Sequence, residues 1–97
     1  MNIEDVFCSR PRLEILKTLF NIGELNVSEI GRRLRINYVS TIRHLKILED
    51  EGILQHKIFG RIRLYRINEQ SPKAKALQNL FETWEQQNKK QTLNRTK

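Results

Sequence analysis

The stretch NYVSTIRHLKILEDEGIL, residues 37–54, begins with an asparagine, carries an arginine and a histidine among hydroxyl residues, and closes on a glycine ahead of two aliphatics. At 100° per residue, Tyr38, Thr41, Ile42, Leu45, Leu48 and Gly52 fall within one stripe, and Val39, Ser40, Arg43 and Ile47 point the opposite way, with Asn37, His44 and Lys46 on the flanks. Asn37 suits the cap at the start of this helix and Gly52 its end. One side therefore builds a core. What the other side serves depends on the neighbouring segments.

Upstream, residues 2 to 7 predict a short helix with Ile3, Val6 and Phe7 on one side, and SRPR then supplies a capping Ser9 and a first-turn Pro11. Leu13, Leu16, Leu19 and Phe20 repeat at helical spacing up to Gly23. In NVSEIGRRL, Asn26 stands three residues before Glu29, close to a capping box, and Val27, Ile30 and Leu34 line one face of a two-turn helix. Downstream the period changes: ILQHKIFG and RIRLYRIN are two β-rich runs that meet at Gly60-Arg61 and read as a hairpin over 53–68. Phe59 and Tyr65 are expected to pack within this hairpin and on the core. Ser71-Pro72 opens a last helix on which Leu77, Leu80, Phe81 and Trp84 recur at i, i+3, i+4 and i+7. Past Trp84 the only large apolar residue is Leu93, so 86–97 is expected to fray into a basic tail beyond a single domain over 1–85.

The fold class that follows is mostly α with a β-hairpin wing, an α+β winged helix-turn-helix. In that arrangement the second helix of the pair, here 37–51, lies in the DNA major groove. Arg43 can pair in bidentate fashion with guanine, Asn37 can serve adenine or phosphate, Ser40 can bond either, and the Val39 methyls can meet a thymine methyl. His44 and Lys46 join them as contacts to base or phosphate. Arg32, Arg33 and Arg35 surround the helix-turn, in reach of phosphates. Lys57, Arg61 and Arg63 cluster at the hairpin tip, where a wing lies along the backbone or dips into the minor groove.

The charge supports this. Lys and Arg number 18 against 11 Asp and Glu, a net charge of +7, which favours a polyanionic partner. Between Asn26 and Arg66 there are nine basic and four acidic residues, and three of those acids, Glu49, Asp50 and Glu51, sit together at the end of the recognition helix. A membrane partner is disfavoured, because no apolar run approaches the roughly 20 residues of a bilayer span and the N-terminus opens acidic. The expected location is cytoplasmic and nucleoid-associated.

The sole cysteine, Cys8, can form no intramolecular disulfide, and the two histidines leave no metal cluster in view. Cys8 is expected to be small and partly buried, with a Cys8 to Cys8 bridge across a dimer as the redox alternative. No cofactor, metal or small-molecule ligand is evident. No nucleophile, base and orienting group come together, so no catalytic residue is named and an enzyme is not expected.

With its HL..L...G pattern (His44, Leu45, Leu48, Gly52) and its GR turn (Gly60, Arg61), the sequence resembles ArsR-like winged-helix transcriptional regulators, the small archaeal ones in particular, over residues 10 to 70. The resemblance implies duplex DNA binding and a homodimer built from the first and last helices. Ile3, Val6, Phe7, Leu77, Leu80, Phe81 and Trp84, which a domain of 97 residues struggles to bury alone, fit such an interface. Metal-responsive members carry paired cysteines before the recognition helix, or acid and histidine ligands on the last helix; NVSEIGRRL has no cysteine and 72–97 has no histidine. Two other readings compete with a sequence-specific regulator: an architectural, chromatin-type DNA-binding protein, and a winged helix that engages an acidic protein.

Overall fold

Side-chain caps set where the helices begin. In the computed structural model, which describes residues 1–95 and only the backbone of 91–95, the elements are α1 (Ile3–Phe7), α2 (Arg10–Ile22), β1 (Glu24–Asn26), α3 (Val27–Leu34), α4 (Tyr38–Asp50), β2 (Leu54–Phe59), β3 (Ile62–Ile67) and α5 (Pro72–Arg95). Asn26 Oδ1 accepts from the Glu29 amide and Asn37 Oδ1 from the Ser40 amide, both at 2.8 Å. Ser71 Oγ accepts from the Ala74 amide at 3.2 Å, and Ser9 Oγ from the Arg12 amide at 3.4 Å. Each bond satisfies a donor that a helix start leaves unpaired. At the other end of α4, Ile53 N–H bonds Leu48 O at 3.0 Å and Gly52 N–H bonds Glu49 O at 2.9 Å, a Schellman pair whose two aliphatics are buried together.

The three strands form one antiparallel sheet in the order β1-β3-β2. β1 pairs Glu24 with Arg66, Leu25 with Tyr65 and Asn26 with Leu64, so the entrance to α3 is tied to the wing. This strand is absent from the sequence reading, since three residues are too few to show a period. One face of the sheet carries Leu54 and Tyr65, each 2% exposed, onto the core made by Ile15, Leu16, Leu19, Val27, Ile30, Leu45, Leu48 and Ile53.

Several expectations need correction. Tyr38 is 59% exposed rather than part of the buried stripe, because the first turn of α4 runs past the end of α3. Phe59 is 72% exposed, since the hairpin projects beyond the core after Leu54 and Tyr65. Cys8 is exposed at the end of α1. Val6 is 2% exposed within its own protomer, where the core claims it, and is not free for a partner. α5 runs on to Arg95 through a stretch rich in glutamine and lysine, good helix formers that no Gly or Pro interrupts. Thr96 and Lys97 lie outside the described residues.

Gly31 lets α3 and α4 approach closely. A Cβ added at Gly31 would meet Thr41 Oγ1 at 2.9 Å and the backbone oxygen of Ile36 at 3.0 Å. Thr41 is fully buried and its hydroxyl is committed to Asn37 O at 2.8 Å, so neither neighbour is free to yield. Gly31→Ala is expected to lower stability by about 1–3 kcal/mol, as overpacking does. Chemical denaturation checks this, with Ser28→Ala on the exposed side of α3 as the near-neutral control.

Candidate nucleic-acid interface

Around α4 the structure sorts the residues by what they already hold. Val39 (66% exposed) and Arg43 point outward, Lys46 is outward but 3.4 Å from Asp50, and Ser40 and Ile47 are half-buried. Asn37 is exposed, yet its side-chain oxygen is spent on the cap. Bidentate reading of adenine needs both the oxygen and the NH2. Asn37 therefore offers only its NH2, which suits a phosphate or a single base acceptor.

His44 does not face straight outward. It lies half-buried on the flank toward α1 and α2, and Arg12 Nη1 donates to its Nδ1 at 3.0 Å. Because arginine can only donate, Nδ1 is the acceptor and the ring proton is on Nε2. Arg12 itself is 7% exposed and was not singled out from the sequence. Its Nε donates to Val6 O at 2.6 Å and its Nη2 to Asp5 O at 3.0 Å, with Cys8 Sγ at 3.7 Å. One guanidinium thus closes the carbonyl end of α1 and ties it to α4. An arginine in the first turn of an apparently amphipathic helix gives little sign of this, apart from falling between Ile15 and Leu16 on one side and Ser9 on the other.

The basic residues divide into engaged and free. Arg32 holds both oxygens of Glu29, at 2.6 and 2.7 Å, and Arg33 adds a bond at 3.0 Å. The hydrogen bond from Arg32 is the main reason the Glu29 carboxyl lies below its ordinary pKa. Lys57 pairs with Glu24 at 3.4 Å. Arg63 stands beside the Tyr65 hydroxyl, which raises its pKa first, with smaller contributions from Tyr38 and Glu49. Among the described residues around the helix-turn, α4 and the wing tip, Arg35, Arg43 and Arg61 are exposed cations with no ion pair; Arg66 on β3 and Lys75, Lys89 and Lys90 on α5 are exposed without one as well. The first three mark the helix-turn, the middle of α4 and the wing tip.

The acids at the end of α4 all have partners: Glu49 bonds His56 of β2, Asp50 meets Lys46 one turn earlier on α4, and Glu51 lies 3.7 Å from Lys73 of α5. Tyr38, placed in the core by stripe arithmetic, is instead an exposed hydroxyl at the start of α4, on the flank toward the wing. It joins the candidate contacts.

On the far side of the molecule, Leu77 and Phe81 pack partly on the core, and Phe81 meets Phe20 edge-on with ring centroids 5.6 Å apart. Phe7 is also half-buried against the core. Ile3 (72%), Leu80 (51%) and Trp84 (65%) remain exposed, and Leu80 and Trp84 line a cleft against Leu13 of α2. Among the described residues no group of three or more His, Cys, Asp and Glu could hold a metal ion, and no helix is long and apolar enough to cross a membrane.

A short helix crossing a capped second helix at a glycine, followed by a β-hairpin on the same sheet as the lead-in strand, is a winged helix-turn-helix. Residues 10–56 match the family described as bacterial regulatory protein, arsR family. The chain is 32% identical over 65 residues to YdgJ of Bacillus subtilis (strain 168), an uncharacterized HTH-type transcriptional regulator; the match takes in 64% of this chain but only 40% of that protein. HlyU from Vibrio cholerae N16961 superposes with a TM-score of 0.72 at 25% identity, covering 82% of this chain and 84% of that one. Mb0332 from Mycobacterium bovis, a homodimeric winged helix-turn-helix DNA-binding domain described as a possible ArsR-family regulator, gives 0.70 at 23% identity over 84% and 73%. The fold is that of a winged helix-turn-helix, and residues 10–56 are similar to the arsR family of regulators.

Two measurements test the local account. Arg35 ends α3 in the left-handed conformation, with φ 59° and ψ 42°, at a position that favours glycine. Arg35→Gly is expected to raise folding stability by about 1 kcal/mol while weakening DNA binding, read by denaturation and by titration of labelled duplex. Burial, followed by the Arg12 and Arg43 charges, pushes the His44 imidazole below its ordinary value of 6.5. The unfolded chain therefore binds more protons between the folded and the ordinary value, so this contribution is complete above about pH 6.5 and is lost as pH falls through that window. Acidification from about pH 7.5 to about 5.5 is expected to lower the thermal midpoint less in His44→Gln than in the parent.

Proposed function

We propose that the protein is a sequence-specific regulator of transcription that binds duplex DNA as a homodimer, with α4 in the major groove and the wing on the backbone or in the minor groove. The observation that carries this reading is the segregation of charge: the acids of α4 are paired at its far end, while Arg35, Arg43 and Arg61 stand free at the turn, the helix face and the wing tip. Such an arrangement matches the groove and the two flanking phosphate rails of a duplex.

The residues take distinct parts. Arg43 and Val39 read base edges, Ser40 and the Asn37 NH2 add hydrogen bonds, and Tyr38 and Lys46 flank them. Arg35 and Arg61 hold phosphates. Arg32, Arg33, Lys57 and Arg63 reach the backbone by exchanging a present partner for a phosphate, which makes them weaker contributors. His44, drawn aside by Arg12, keeps only Nε2–H for an acceptor at the edge of the groove. Ile3, Leu80 and Trp84, with the exposed edges of Phe7, Leu77 and Phe81, form the dimer face. That Mb0332, which shares the fold, is homodimeric favours a second copy of this chain as the partner. Regulation proceeds by occupancy of the site, without catalysis.

Selection from random duplex DNA at near-physiological salt, followed by sequencing, tests the whole reading. An inverted repeat with half-sites about one turn, ~34 Å, apart is expected. Retained DNA with no consensus contradicts it in favour of architectural binding. On the selected site, Arg43→Ala is expected to cost about 1–3 kcal/mol and to relax preference at one base pair, whereas Arg61→Ala weakens all duplexes alike and lowers the salt slope by about 1. Trp84→Glu with Leu80→Glu is expected to give monomers in analytical ultracentrifugation and to lose the paired half-site preference.

A further inference from the structure

The wing carries apolar side chains where the fold has no use for them. The hairpin leaves the core after Leu54 and Tyr65 and projects about 13 Å from His56 to its tip, at roughly 3.3 Å per residue. Its turn is tight: Gly60 has φ +65° and Arg61 follows with negative φ, the pattern of a type II′ hairpin, in which glycine takes the first central position. Phe59 and Ile62 close that turn opposite each other and so lie side by side on one face of the ribbon. They are 72% and 48% exposed, and Ile58 on the other face is 68% exposed.

A hairpin tip that served only as a connection would be polar, because an exposed apolar strand end invites pairing with other chains. This one instead interleaves its apolar residues with cations. Residues 57–64 contain Lys57, Arg61 and Arg63 and no acid. An apolar protein surface would accept Phe59 and Ile62 but leave Arg61 and Arg63 to be desolvated without an acidic partner. The minor groove accepts both, since phosphates line its two edges and the base step at its floor receives an apolar side chain.

We propose that the wing tip is a minor-groove wedge: Phe59 and Ile62 enter a base-pair step and partly unstack it, while Arg61 and Arg63 hold the phosphates on either side. The proposal rests on the DNA-binding reading and adds to it a deformation of the duplex. Part of the sequence preference then comes from the ease of opening a step that α4 never touches, with flexible pyrimidine–purine steps favoured.

The test uses the full chain and its selected duplex, with 2-aminopurine placed in turn at the steps about half a turn from the α4 contact. Parent protein is expected to raise the fluorescence of one such step several-fold and to bend circularly permuted fragments by some tens of degrees. Both side chains are solvent-exposed, so Phe59→Ser with Ile62→Ser should fold normally. That variant is expected to bind without the fluorescence rise or the bend, and Phe59→Leu to retain them. Arg61→Gln should weaken binding yet keep the unstacking at saturation. A parent protein that binds tightly with stacked, straight DNA overturns the wedge and leaves the DNA-binding reading intact. A double variant that alters only the oligomeric state overturns it in favour of a protein contact. Failure of the parent to bind any duplex defeats the DNA-binding reading itself, and the wedge with it.

Discussion

The crossing of α3 over α4 at Gly31 is the contact on which the rest of the arrangement depends. Only hydrogen fits there, because Thr41 Oγ1 and Ile36 O already stand at the distance a methyl would need. The crossing lets Ile30 and Leu45 both reach zero exposure, and it brings the turn between the helices under α4. Ile36 N–H returns to Gly31 O at 3.0 Å, so the same glycine anchors the turn through its carbonyl. With α4 fixed against α3, its opposite side is left outward, and the Schellman end at Gly52 turns the chain directly into the wing. Fold and interface thus share one steric cause.

The outward side of α4 also has an uneven distribution of charge. Ion pairs between exposed groups contribute little to stability, so pairs such as Lys46–Asp50 matter mainly for where they leave net charge. They cancel acids at the C-terminal end of α4 and leave Arg43 uncancelled in its middle. Arg12 acts differently. It is buried, has no carboxylate partner, and spends its donors on the last carbonyls of α1 and on His44. That contact links the carbonyl end of α1 to α4 through one side chain.

Much of this was legible in the sequence, and the failures have specific causes. Asn26, Asn37 and Ser71 announced their helices because a capping side chain acts on its own next three residues, which is local information. The wing was legible from β-rich runs around Gly60-Arg61. β1 was not, since its three residues owe their extended state to pairing with β3. Tyr38 and Val6 were misassigned because helical arithmetic gives the angle of a side chain but not how far the neighbouring element extends. Phe59 was misplaced for the same reason in the strand: alternation does not tell where the core stops. Of the proposed interface, the residue types and their order were readable. The division into free cations and cations bound to Glu29, Glu24 or Tyr65 was not, because it depends on rotamers and on tertiary neighbours.

A titration of isotope-labelled protein with its selected duplex, followed through backbone amide and arginine side-chain resonances, tests the central claim most directly. The account predicts that the perturbations concentrate on Arg35 to Lys46 and on Ile58 to Arg63, with the Arg43 and Arg61 side chains shifted most and the Arg32–Glu29 pair less. Perturbations centred on α5 or on the exposed side of α2, with α4 and the wing unmoved, would contradict it.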